Sequence, residues 1–114
     1  MTTRTVERAQ WQSYFERMAR GLEGKRASVE VISPNLGDQW AAKQLQLLGI
    51  TYSPGDDLIE VAMEGVDHLV PHPRELMVEE QAGGLASLKI TTADGDDEIV
   101  TFVDPVLLPA HPST

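Results

Sequence analysis

The stretch "LLGITYSPGDDLIEVAMEGVDHLVPHPREL", residues 47–76, decides how the chain folds. Near its centre, Ser53-Pro54-Gly55-Asp56 is a turn signal, because proline suits the second position of a type II turn and glycine the third. After the turn, Ile59, Val61 and Met63 share one face and Glu60 takes the other, the period of a strand. Before it, Leu45 and Leu47 alternate with Gln44 and Gln46 and run into Ile50 and Tyr52. Residues 44–64 are therefore predicted as a β-hairpin. Residues 39–48 also suit a helix capped by Asp38 and ended by Gly49. The alternation favours a strand from about Lys43.

The last third of the stretch, "GVDHLVPHPREL" (65–76), collects chemistry-bearing side chains: Asp67, His68, His72, Arg74 and Glu75. Imidazole and carboxylate groups are good ligands for zinc, iron or manganese. Two histidines four apart align when they share a helix face. Pro71 and Pro73 work against that, since proline biases the residue before it towards extended backbone. The segment is expected to be a stiff crossover that aims "RELMV" as the next strand. On this reading Asp67, His68, His72, Arg74 and Glu75 are candidate contacts for a ligand or partner. A metal-assisted enzyme using the Asp67, His68 and His72 loop is the alternative.

Towards the N-terminus, Trp11, Tyr14, Phe15, Met18, Ala19 and Leu22 form one stripe at helical spacing. Residues 6–22 are predicted as an amphipathic helix, with Thr5 as N-cap and Gly21 or Gly24 as terminator. "ASVEVIS" (27–33) is rich in β-branched residues and reads as a strand. "PNLGD" (34–38) is a loop by composition.

Towards the C-terminus, "ELMVEE" reads as a short strand and "GG" (83–84) as a turn. "LASLKITT", "ADGDD" and "EIVTFVDP" form a second hairpin, with Asp94-Gly95 at its turn. In "EIVTFV" both faces are apolar, as in a strand covered on both sides. Either the sheet curls towards a small barrel, or a partner chain covers its second face. The tail from 105 to 114 is proline-punctuated, with Leu107 and Leu108 expected to pack. The fold class that follows is α+β in one domain. A helix (6–22) packs on a bent, mostly antiparallel sheet of five or six strands (27–104), followed by the tail (105–114).

The run from Leu47 to Leu76, together with "GGLASLKITTADGDDEIVTFVDP", resembles a family of small bacterial single-domain proteins of unknown function. The resemblance covers roughly residues 11–108. It implies a one-domain protein, and no activity, cofactor or catalytic residue comes with it. By element order alone, a helix followed by a bent sheet is also similar to Sm-like and SH3-like small barrels.

Composition narrows the function. The chain has 114 residues, 18 Asp and Glu against 9 Lys and Arg, and a formal charge of −9. Such a field repels a phosphate backbone, which argues against nucleic acid. With no cysteine, thiolate chemistry, iron–sulfur clusters and disulfides are excluded together. No apolar run approaches a membrane span, and the first residues do not resemble a secretory signal. A cytoplasmic location is expected. The acidic runs "GDD" (55–57) and "DGDDE" (94–98) coincide with predicted turns, where Asp and Gly are ordinary. No motif calls for a cofactor or supports a catalytic nucleophile. The expectation is a non-catalytic binding or protein-interaction module that self-associates as a homodimer or binds another protein.

Overall fold

A computed structural model describes residues 2–22, 24–81 and 84–106. Eight strands and one α-helix follow in chain order. They are β1 (Thr2–Val6), α1 (Trp11–Leu22), β2 (Arg26–Ser33), β3 (Gly37–Ser53), β4 (Leu58–Met63), β5 (Val66–Pro71), β6 (Pro73–Gln81), β7 (Gly84–Thr92) and β8 (Asp97–Val106). A 3-10 turn (Arg8–Gln10) leads into α1. The strands form one sheet in the order β1-β6-β7-β8-β2-β3-β4-β5, and every described pairing is antiparallel.

This corrects the expectation of an α+β fold with five or six strands. The molecule is mainly sheet, with a helix of 12 residues. β1 and β5 are the strands beyond the expected six: the segment expected as a stiff crossover holds a strand, Val66–Pro71, paired with β4. Residues 2–6 pair with β6, Thr2 opposite Glu80 and Val6 opposite Leu76, so the chain enters as an edge strand and not as a helix cap. The helix starts at Trp11 because Val6 belongs to β1, where its carbonyl accepts a 2.8 Å hydrogen bond from the Trp11 indole. Residues 37–43 are strand as well, so β3 runs for 17 residues.

Such a long strand stays in one sheet only by bending, and two bulges supply the bend. Glu30 faces Trp40 while Val29 faces Ala42, which leaves Ala41 as an extra residue. Ala27 then faces Leu45, leaving another extra residue around Gln44. Gln44 has φ 50°, the left-handed region, and its N–H donates to Ser28 Oγ at 2.9 Å.

The turn between β3 and β4 also differs from expectation. The positive φ falls on Asp57 (49°) and not on Gly55, and the Asp57 N–H donates to the Pro54 carbonyl at 3.3 Å. The β7–β8 turn places Gly95 at φ +87°, where glycine avoids the Cβ clash of the left-handed region.

The core occupies one side of the sheet. The helical stripe Trp11, Tyr14, Phe15, Met18 and Leu22 is buried against inward residues such as Val29, Ile50, Ile59, Val61, Val78, Leu88 and Val100. β4 shows why: its burial alternates residue by residue, with Ile59, Val61 and Met63 inward. The apolar second face of β8 has no cover among the described residues. Ile99 is half-buried, and Val103 is 52% exposed. In the tail Val106 is buried, while Leu107, Leu108 and the other residues beyond Val106 lie outside the described residues, as does Gly83 of the expected turn.

Candidate functional site

β5 is an edge strand, so the two ends of "DHLVPHP" sit in different surroundings. Along β5, Val66, His68 and Val70 take one face and Asp67, Leu69 and Pro71 the other. The inward His68 crosses to β8, where its Nε2 meets Glu98 Oε1. The side chains are only 17% and 8% exposed, and Glu98 is the buried charged residue of the described core. A buried carboxylate is costly unless paired, and His68 is the partner. In the sheet, β2, β3 and β4 separate these strands. The contact therefore requires the sheet to coil until its β5 edge stands over β8.

On the outward face, Asp67 pairs with a neighbour of like charge. Its hydrogen bond and its negative charge push the Glu60 carboxyl on β4 above the usual carboxylate range. The two side chains lie on diagonal positions of the antiparallel pair, within reach of each other.

His72 is the single residue between β5 and β6. Its φ is 53°, strained for a side-chain-bearing residue. Two backbone hydrogen bonds fix it: its N–H donates to the Asp57 carbonyl at 2.9 Å, and its carbonyl accepts from Ala93 N–H at 3.0 Å. Its imidazole is exposed, with Nδ1 3.6 Å from Asp57 Oδ2. Arg74 and Glu75 follow as exposed residues of β6.

The knot around His72 is organised by Arg8. One guanidinium nitrogen donates to Asp57 Oδ1 at 2.9 Å and to the Tyr52 hydroxyl at 3.0 Å. Another donates to the Pro73 carbonyl at 2.6 Å, and the group lies 4.5 Å from the Trp11 ring centroid. Tyr52 also donates to Asp57 Oδ1 at 3.1 Å. The Arg8 hydrogen bond, supported by Tyr52, holds the Asp57 carboxyl below the usual carboxylate range. Arg8, Tyr52 and Asp57 were not legible as site residues, because they come from three separate elements. Pro54-Gly55-Asp56-Asp57 signals a turn, and nothing in it signals that Asp57 ties the Arg8 turn, β3 and the β5–β6 junction together.

The five sequence candidates are thus dispersed. His68 goes to Glu98, His72 to Asp57 and Asp67 to Glu60, while Arg74 and Glu75 face solvent. Among the described residues, no three His, Asp or Glu side chains lie together as metal ligands.

Residues 2–111 match the Family of unknown function (DUF5335). The chain belongs to this family. It is also 32% identical over 110 residues to an "Uncharacterized protein" of Aquifex aeolicus (strain VF5), covering 96% of this chain and 99% of that one. No solved structure matches. Membership bears out the resemblance to a small family of unknown function. No described helix is long and apolar enough to cross a membrane.

Proposed function

We propose that this DUF5335 protein is a non-catalytic interaction module that self-associates as a homodimer in the cytoplasm. One observation carries the reading: the sheet is open. Helix and core occupy one side, while β1, β5 and the first half of β3 present strand edges without a described neighbour. Unpaired edges hold rows of backbone donors and acceptors that other strands satisfy. The net charge of −9 favours a protein partner over a nucleic acid. Of the sequence candidates, the exposed Asp67, His72, Arg74 and Glu75 enter as further contacts for another protein, while His68 is turned inward to Glu98. Sedimentation equilibrium across a wide concentration range tests the reading. A mass rising towards twice that of the monomer is expected, and a strictly monomeric mass at the highest concentration overturns it.

A further inference from the structure

Resting on the self-association above, the geometry points to one edge and one register for it: the first half of β3, Gly37–Lys43, pairs antiparallel with the same segment of a second copy. β3 gives β4 only its residues from Leu47 to Ser53. Gly37 to Ala42 pair with β2 on one side, and among the described residues nothing pairs on the other. Leu36 and Trp40 stand 69% and 54% exposed there, beside this free backbone edge.

The residue order of this edge is self-complementary. With a twofold axis between Trp40 and Ala41, Asp38 lies opposite Lys43 of the second copy and Gln39 lies opposite Ala42. Trp40 lies opposite Ala41, a large side chain against a small one. Each charge meets its opposite, twice by symmetry.

Face parity agrees, and only because of the bulge. Opposed residues of an antiparallel pair must point to the same side. In a regular strand, residues 38 and 43 point to opposite sides. Here Ala41 is the extra residue, so parity reverses across it. Ala42 is buried on the inner face, and the Lys43 ammonium lies 5.3 Å from the Trp40 ring centroid on the outer face. Trp40 and Asp38, two apart on the strand, share that outer face, so Asp38 and Lys43 match.

Asp38 also lacks a cation within its own chain among the described residues. It interacts instead with Glu30, whose carboxyl is pushed above the usual range by burial and then by Asp38. Lys43 of the second copy supplies that cation. The other two edges offer no such match. Arg4 of β1 is already bound to Glu80 at 2.9 Å, and β5 carries Asp67 with no basic residue on the same face.

The test uses the whole chain, which has no cysteine of its own. Ala41→Cys places two thiols on diagonal positions across the twofold, within disulfide reach. Mild oxidation is expected to cross-link it at least about 10-fold faster than Thr3→Cys on β1 or Leu69→Cys on β5. By sedimentation, Lys43→Asp raises the dissociation constant at least about 10-fold, and Asp38→Lys with Lys43→Asp restores it to within about 3-fold. Faster cross-linking at position 3 or 69, or a dimer indifferent to Lys43→Asp, overturns this register while leaving self-association standing. A wild-type monomer at every concentration overturns both.

Discussion

Tyr14 shows what a single atom costs in this core. Its hydroxyl is buried and has no hydrogen-bond partner among the described residues. Burial pushes its ionisation up to about 12, since a phenolate would be poorly solvated there. The sign follows from linkage. A pKa raised in the folded state leaves stability intact below the ordinary value near 10, and stability is lost as pH rises towards 12, because the unfolded chain releases its proton first. Tyr14→Phe removes an unsatisfied polar group and is expected to be about 1 kcal/mol more stable at neutral pH. It also loses this part of the alkaline destabilisation. Urea titrations at pH 7 and pH 11 check both, and a variant less stable than the parent at pH 7 contradicts the account. The helical stripe identified Tyr14 as core; the missing partner for its oxygen is a property of the atoms packed around it.

At the scale of elements, β3 is where pattern reading met its limit. A strand announces itself by alternation, and bulges break alternation. Buried Ala42, half-buried Leu45 and buried Leu47 are spaced three and then two apart, a mixture of helical and strand periods. That spacing is why residues 39–48 suit either element, and why alternation alone starts the strand near Lys43. The regular segments were legible: β4, with its strict alternation, and α1, whose stripe from Trp11 to Leu22 is buried as expected except at Ala19, which is exposed. The first turn of the helix was not, because β1 is short and its pairing with β6 lies 70 or more residues away in sequence. The bend itself is testable at Gln44. With φ at 50°, a β-branched side chain is strained there, and Gln44→Val should cost about 1–2 kcal/mol. Gln44→Gly should be neutral or stabilising by up to about 1 kcal/mol. Denaturant midpoints decide, and equal effects of Val and Gly would remove the left-handed bulge as the cause of the bend.

At the scale of the molecule, the His68–Glu98 pair holds the coiled sheet. His68→Ala leaves a carboxylate buried without its partner and should cost about 2–3 kcal/mol. Replacing both with leucine should recover most of that loss, because two apolar side chains need no partner. A double-mutant cycle by thermal unfolding measures the coupling, and additive effects of the two changes would show that the pair does not act as a unit. The sequence by itself determined the amphipathic helix and the hairpins around Pro54-Gly55 and Asp94-Gly95. Each is set by neighbours within a few residues, through side-chain periodicity and backbone sterics. Only the tertiary structure decided that there are eight strands, that β3 bends, and that Asp67, His68 and His72 part company towards Glu60, Glu98 and Asp57. Those outcomes depend on which distant strands pair and how far the sheet coils, and pairing free energy accrues only between segments the sequence keeps apart.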